Sequence, residues 1–184
     1  MNGAPVSLRR LHQADAALFR EIRLEGLSRD PDAFTSTFEE ESARPLSSFA
    51  ERLAASAVFA AFQGTDLVGV AGFYVQPGPK HAHKGMLWGM YVRPQARGAG
   101  VGAKLVEAVV EHARAHVEQI ALTVISENLP ARRLYRRAGF EEYGLKKHAA
   151  KYRGRYHDDV LMARMLVPPD RGPGIGAPSG ERKE

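Results

Sequence analysis

A glycine-rich run at residues Arg93–Gly102, with the sequence RPQARGAGVG, most constrains how this chain can fold. It follows the apolar segment Met86–Val92 and leads into a stretch whose apolar residues recur every four positions, as on one face of a helix. A strand that passes through glycines into a helix directs several backbone N–H groups and the positive end of the helix dipole to one place. Such a place binds phosphate groups, and the run therefore predicts a phosphate-binding loop.

The rest of the hydrophobic pattern predicts an α/β (α+β) fold, with a mixed, mostly antiparallel sheet and helices on both faces. The predicted order is β-α-α-β-β-β-α-β-α-β-β, and residues 83–125 form a central βαβ unit, expected to cross over right-handed between parallel strands. The segment Phe34–Arg44 is predicted to be polar and irregular. The predicted strands are Val6–Leu11, Ala57–Gln63, Leu67–Val75, His83–Val92, Ile120–Ile125, Phe140–Ala150 and Tyr156–Leu166, and the predicted helices are Ala14–Leu27, Pro45–Ala55, Gly100–His116 and Asn128–Ala138.

Length and composition restrict the class of protein. The chain has 184 residues and no cysteine, which excludes a disulfide scaffold, thiolate zinc sites and a cysteine nucleophile. No segment has the apolar run of a signal peptide or the length of a transmembrane helix, so we expect a cytoplasmic protein with no membrane partner. Residues 1–167 are predicted to form the domain. Residues 168–184, rich in proline, glycine and charge, are predicted to be a disordered tail.

The net charge of +5 arises largely between Arg132 and Arg155, where nine arginine and lysine residues cluster. Such a cluster could contact nucleic acid, an acidic protein or one polyanionic small molecule. Most of these side chains are expected to form a solvated face. Because no aromatic residues interleave with them as in a nucleic-acid groove, and no zinc-finger spacing is present, we expect no nucleic-acid partner.

Residues 98–103, GAGVGA, also satisfy the G-x-G-x-x-G/A pattern of dinucleotide-binding folds. A dinucleotide fold needs this unit near the start of a doubled β-α-β-α-β array, whereas here three strands of antiparallel character lead up to it. No G-x-x-x-x-G-K-[ST] sequence is present, which excludes a nucleotide-hydrolase loop. The glycine pattern alone therefore does not assign the bound phosphate to a dinucleotide.

Two motifs resemble those of one family. Residues Gln95–Gly100 read Q-x-x-G-x-G, and residues Asn128–Phe140 read N-x-x-A-x-x-L-Y-x-x-x-G-F. Both are similar to the signatures of the GCN5-related N-acetyltransferase (GNAT) superfamily, and the predicted element order is that of its acyl-CoA N-acyltransferase fold. The resemblance covers roughly residues 5–167.

The resemblance implies that the glycine-rich loop binds the pyrophosphate of coenzyme A, with acetyl-CoA as co-substrate. The amides of Arg97–Gly102 would receive the pyrophosphate, and the Arg97 guanidinium would add a charge-assisted contact. The preceding strand, which splays from its neighbour in this family, would pair its backbone with the pantetheine arm. Asn128 would cap its helix and also contact the pantetheine region. The cofactor-binding residues so implied are Met90, Tyr91, Val92, Arg97, Gly98, Ala99, Gly100, Val101, Gly102, Asn128 and Ala131.

The reaction implied is direct transfer of the acetyl group to an amine in a ternary complex, with no covalent enzyme intermediate and no metal. Tyr135 occupies the family's position for the acid that donates a proton to the departing sulfur. A backbone N–H near Met90 or Tyr91 would meet the oxyanion. A base must also remove the amine proton, because an alkylamine is protonated in neutral water. No spacing selects the base among its candidates, which are Glu21, Glu25, Glu39, His83, His157 and Asp158.

The acceptor is expected to be the primary amine of a small molecule, such as an amine, an amino acid or an antibiotic, because residues Asp30–Arg44 resemble a substrate loop that could close a pocket. Phe34, Trp88 and Tyr156 are candidate acceptor contacts. A protein N-terminus or lysine side chain is the second choice of acceptor. A non-catalytic acyl-CoA-binding sensor and a basic nucleic-acid binder are the rival classes. A homodimer is a candidate assembly, since dimers are common in this fold.

Overall fold

The computed structural model describes residues 5–166, in which seven strands form one sheet flanked by five α-helices. Residues 1–4 and 167–184, which include the predicted tail, lie outside the described part of the chain. The strands are β1 (Val6–Leu11), β2 (Ala57–Gln63), β3 (Asp66–Val75), β4 (Lys84–Val92), β5 (Gln119–Ile125), β6 (Glu141–Tyr152) and β7 (Arg155–Met165). The helices are α1 (Ala16–Arg29), α2 (Phe38–Ser42), α3 (Leu46–Ala55), α4 (Val101–Arg114) and α5 (Leu129–Arg137).

The sheet is mixed and mostly antiparallel, as predicted. Its strand order is β1-β2-β3-β4-β5-β7-β6. Among the described strands, β4 and β5 form the parallel pair, and helix α4 connects them. All other neighbours are antiparallel, including the closing hairpin of β6 and β7. The predicted central βαβ unit is therefore confirmed.

Both faces of the sheet are buried, because apolar side chains of its strands point alternately to one face and to the other. In β2, Val58 and Ala60 pack with α1 and α3, whereas Ala57 and Ala61 pack with α4. Successive residues of a strand point to opposite faces, so a strand covered on both sides needs an apolar run rather than an alternation. The sequence AVFAAFQ of β2 meets that need.

The prediction that residues 34–44 are irregular is wrong, because they contain the short helix α2. The helix begins with a capping box: the Thr37 N–H donates to Glu40 Oε2 at 2.9 Å, and the Glu40 N–H donates to Thr37 Oγ1 at 3.2 Å. This T-x-x-E signal was present in the sequence. No helix within residues 5–166 has both the length and the apolar composition needed to cross a bilayer.

The parallel strands β4 and β5 separate soon after they begin to pair. Residues 84–86 of β4 pair with residues 119–121 of β5, and no further pairs follow. Gly89 adopts a φ of +63°, and the register between β3 and β4 shifts in the same region, between Val70 and Gly72. Such a bulge bends a strand and increases its twist. The outer half of β4 consequently diverges from β5 and leaves an opening in the middle of the sheet.

Candidate active site

A cavity of about 900 Å³ lies where β4 and β5 diverge. Its walls come from the ends of these strands, the glycine-rich loop, the first turns of α5 and the segment that follows α1. All of the residues implied to bind the cofactor line this cavity except Ala99. The structure thus brings together two segments that are well separated in the sequence, namely Met90–Gly102 and Asn128–Ala131.

The glycine-rich loop keeps its shape through residues with positive φ. Gly98 has a φ of +81° and Gly100 has a φ of +78°. A Cβ built on either residue would meet no heavy atom within 4 Å, so backbone conformation rather than crowding requires glycine there. Gly102 differs, because its Cβ would lie 3.2 Å from Leu134 Cδ2, where α4 packs closely against α5. The open space beside Gly98 and Gly100 belongs to the cavity.

Replacing Gly98 with alanine should weaken coenzyme A binding about tenfold or more, since the new methyl group would stand where an anion must approach the loop amides. Gly154 provides a matched control, because it too has a φ of +81° and open space around its Cβ but does not line the cavity. Both alanine variants should lose about 1–2 kcal/mol of unfolding free energy through backbone strain. Calorimetric titration with coenzyme A distinguishes them, and equal affinity in both variants would contradict a phosphate role for the loop.

Arg97, implied to contact the pyrophosphate, is engaged within the protein. Its Nη2 forms an ion pair with Asp30, its Nε donates to the Val92 carbonyl at 2.9 Å, and its guanidinium lies 5.8 Å from the Tyr91 ring centroid. Arg97 and Asp30 both line the cavity. The ion pair therefore joins the glycine-rich loop to the segment after α1, and an arriving phosphate would compete with Asp30 for the guanidinium.

Asp30→Asn should strengthen coenzyme A binding by up to about fivefold at low salt, because it releases Arg97 from a partly exposed pair worth up to about 1 kcal/mol. Asp32→Asn is the control, since it removes the same charge from the same cavity without touching Arg97. The affinity is measured for both variants at low and high ionic strength. An equal gain in both would indicate a general charge effect instead of competition for Arg97.

Helix α5 carries the second motif. The Asn128 Oδ1 accepts the Ala131 N–H at 3.2 Å, so Asn128 caps the helix as predicted. Ala131 and Leu134 then line the cavity. Tyr135 is not one of the lining residues; it is 6% exposed, belongs to the core between α4, α5 and the sheet, and packs edge-on against Phe140 at 5.9 Å.

The phenol of Tyr135 stays protonated in this environment. Burial raises the pKa of Tyr135, and burial is its only resolved cause. No hydrogen bond joins the phenol oxygen to any residue within the range 5–166, so its O–H is not committed to a structural partner there. A neutral phenol with an unused donor is what an acid for a departing thiolate requires.

The two glutamates proposed as bases are committed to ion pairs. Arg93 donates through Nη2 to Glu21 at 2.9 Å and through Nε to Glu25 at 2.8 Å. The Tyr91 hydroxyl also donates to Glu25, at 3.1 Å. Burial, and next this hydrogen bond, raise the pKa of Tyr91 to about 12. These contacts tie α1 to the end of β4, and neither glutamate lines the cavity.

Of the remaining candidate bases, His157 alone lines the cavity. Asp158 accepts the His148 N–H at 2.8 Å, Glu39 lies in the exposed first turn of α2, and His83 lies in an exposed turn before β4. His157 is 5% exposed, and its Nε2 lies 3.8 Å from Asp32 Oδ1. The ring stands at the cavity edge of β7, close to where β5 ends.

The three candidate acceptor contacts are placed differently. Phe34 lines the cavity. Trp88 does not line it and packs on the α1 and α3 side of the sheet, edge-on to Phe19 at 6.3 Å. Tyr156 is 54% exposed and stacks on His148 at 4.4 Å, outside the cavity lining.

Several charged residues of the cavity were not singled out from the sequence. Arg137 and Arg155 belong to the basic cluster, which was expected to be mainly solvated. Arg29 and Asp32 lie at the end of α1 and just after it. No sequence signal distinguishes these residues from other surface charges. Within the described chain, no three His, Asp or Glu side chains gather as a possible metal site.

Known proteins resemble this chain in sequence and in fold. A family model described as the acetyltransferase (GNAT) family matches residues 20–140. An L-amino acid N-acetyltransferase from Escherichia coli is 33% identical over 102 residues, which cover 54% of this chain and 62% of that protein. An L-methionine sulfoximine/L-methionine sulfone acetyltransferase from Pseudomonas aeruginosa is 35% identical over 85 residues, covering 46% of this chain and 49% of that protein. The matched stretches thus span less than two thirds of either relative.

Solved structures agree with this fold. A GNAT-family acetyltransferase from Streptococcus pneumoniae superposes with a TM-score of 0.79 at 21% identity, over 89% of this chain and 100% of that one. A putative acetyltransferase from Salmonella typhimurium, solved with acetyl-CoA, gives a TM-score of 0.76 at 20% identity, over 93% of this chain and 99% of that one. At these identities the likeness concerns the fold.

Proposed function

Because this chain belongs to the GNAT acetyltransferase family, we propose that it transfers the acetyl group of acetyl-CoA to the primary amine of a small molecule. One observation carries the proposal: the cavity opens where β4 leaves β5 and ends at the positive-φ glycines before α4. That geometry combines an unpaired strand edge with a phosphate-binding loop, which suits a long molecule carrying a pyrophosphate at one end.

The described residues fit coenzyme A in charge and shape. The amides of residues 97–102 and the Arg97 guanidinium would hold the pyrophosphate, and Arg137 adds positive charge to the same cavity. The edge of β4 beyond Met86, which has no partner in β5, offers main-chain groups to the amides of the pantetheine arm. Bound acetyl-CoA would supply the acetyl thioester.

Three groups of the protein would carry the proton and charge transfers. His157 takes the proton that the acceptor nitrogen loses as its bond to the acetyl carbon forms. Tyr135 gives its phenolic proton to the sulfur as the carbon–sulfur bond breaks. A backbone N–H at the β4 bulge, near Met90, meets the negative charge that develops on the acetyl oxygen. Afterwards solvent takes the proton from His157 and returns one to Tyr135.

A small acceptor is supported by the segment after α1. Residues 29–34 form part of the cavity wall, and they include the start of the segment Asp30–Arg44 that the sequence predicts to be a substrate loop. The relatives whose printed names include an L-amino acid and L-methionine sulfoximine also support an acceptor of that size. The carboxylate of Asp32 would attract the ammonium form of such an acceptor to the side of His157.

Release of free coenzyme A from acetyl-CoA, measured with a panel of amino acids, simple amines, amine antibiotics and lysine-containing peptides, tests the proposal. We expect turnover with at least one small amine and stoichiometric formation of its N-acetyl product. Turnover with peptides alone would favour a protein acetyltransferase. Tight coenzyme binding without turnover on any amine would favour an acyl-CoA sensor.

We also propose that the protein is cytoplasmic, as expected from the sequence, and that it forms a homodimer, the candidate assembly given by the resemblance to the family. Acetyl-CoA as co-substrate supports the location. Cell fractionation and light scattering measure these two properties, and a monomer across the micromolar range would overturn the second.

A further inference from the structure

The most unusual side chain near the cavity is Arg23, a buried arginine of α1. It is 6% exposed, and its Nε and Nη1 have no hydrogen-bond partner within residues 5–166. Buried polar groups are almost always paired, and an unpaired buried donor costs free energy. An arginine with two such nitrogens therefore indicates that a partner is still to arrive.

The charge around Arg23 is unbalanced. The buried Glu41 accepts from Arg52 Nη1 at 3.0 Å and Nη2 at 3.2 Å, so its two oxygens are held by a bidentate pair. Arg23 Nη2 reaches the same carboxylate only at 3.8 Å. Two guanidinium groups thus share one carboxylate, and the cluster has an excess of one positive charge.

Burial is the main cause that lowers the pKa of Arg23, to about 10, and Arg52 contributes further repulsion. The side chain nevertheless stays protonated at neutral pH. A buried cation whose own counter-ion is already engaged is costly to retain. An anion of the ligand would satisfy both its charge and its free donors.

Arg23 lies directly behind the cavity wall. Its guanidinium carbon is 4.7 Å from the ring centroid of Phe34, which lines the cavity. On its other side, Nη1 would lie 3.6 Å from a Cβ built on Gly89, at the β4 bulge next to the cavity residue Met90. Phe34, in the segment between α1 and α2, therefore contacts the Arg23 guanidinium and also lines the cavity in which an acceptor would meet the acetyl group.

We propose that Arg23 binds the carboxylate of the acceptor, which makes free amino acids the preferred substrate class. The inference rests on the proposed function, since it assumes that an acceptor amine enters this cavity. Phe34 covers the guanidinium when no acceptor is bound and turns aside when the carboxylate enters. The amine of the same amino acid then faces the bulge and His157.

The test compares an amino acid with its own carboxamide, which keeps the amine and side chain but removes the charge. The amino acid is the one turned over fastest in the acceptor panel, or L-methionine if none is. Arg23→Met should lower kcat/KM for the amino acid about 30-fold or more, as expected when one partner of a buried charge pair is removed. The value for the carboxamide should change less than threefold. The Tm should not fall, because Glu41 keeps its bidentate pair with Arg52.

Arg20→Met is the matched control, because it removes a positive charge from the same helix, α1, but leaves Glu41 paired with Arg52 and the free nitrogens of Arg23 in place. We expect it to affect both acceptors alike. Equal losses for amino acid and carboxamide in Arg23→Met would overturn the carboxylate role.

Calorimetric titration of coenzyme A-loaded protein with the amino acid and with its carboxamide measures acceptor binding independently of catalysis. If no amine is acetylated, the proposed function fails, yet carboxylate-selective binding that disappears in Arg23→Met would still support the role of Arg23. Conversely, turnover of amines with no preference for a carboxylate would contradict the role of Arg23, and the proposed acetyltransferase function would still hold.

Discussion

Tyr135→Phe should lower kcat roughly 10²- to 10⁴-fold while the free energy of unfolding stays the same or rises by up to about 1 kcal/mol. The two effects have one cause. The Tyr135 side chain is largely buried, and its phenol oxygen has no hydrogen-bond partner in the described chain, so removing the hydroxyl costs the fold no hydrogen bond. The aromatic ring, which packs against Phe140, is retained in the variant.

Steady-state kinetics and chemical denaturation measure the two halves of this prediction on the same protein. Tyr143→Phe is the control, because Tyr143 is 62% exposed on β6 and lies outside the cavity lining. It should change neither quantity. The affinity for coenzyme A should also be unchanged in Tyr135→Phe, since only the reaction step needs the proton. An unaltered kcat would show that the hydroxyl takes no part in the reaction.

The features that could be predicted from the sequence are those set by neighbouring residues. The positive φ of Gly98 and Gly100 follows from glycine at a strand-to-helix turn, and the Asn128 cap follows from its position before a proline and an apolar periodicity. Helix α2 belongs to the same class. The sequence prediction did not include this helix, although the capping box of Thr37 and Glu40 indicates a helix start.

The contacts that decide the chemistry of the site are not local. Arg97 pairs with Asp30 across 67 residues, and Tyr91 bonds Glu25 across 66. Hydrophobic periodicity does not predict such pairs, because they depend on how α1 packs against the end of β4. For the same reason, sequence spacing could not distinguish among the six candidate bases. In the structure, five of them lie outside the cavity lining, and His157 lines the cavity. The excess charge on Arg23 was equally hidden, since it requires knowing that Arg52 already holds Glu41.

His157→Ala should lower kcat/KM for the acceptor about 10²-fold, the lower end of what a positioned base contributes. Among the described residues proposed as bases, it is the one that lines the cavity, so water would have to take the proton in its place. The KM for acetyl-CoA should stay within about threefold of the parent value, because the glycine-rich loop and the β4 edge are unchanged. Added imidazole should restore part of the activity in a concentration-dependent way.

The choice of acceptor makes this test specific for a base. An amine that is already neutral at the assay pH needs no proton removed before attack, so the loss in His157→Ala should shrink towards tenfold or less for weakly basic amines. His116→Ala is the control, since His116 is exposed, bonded through Nδ1 to the His112 carbonyl, and remote from the cavity lining. A loss that is the same for strongly and weakly basic amines, and that imidazole does not relieve, would mean that His157 shapes the cavity without accepting the proton.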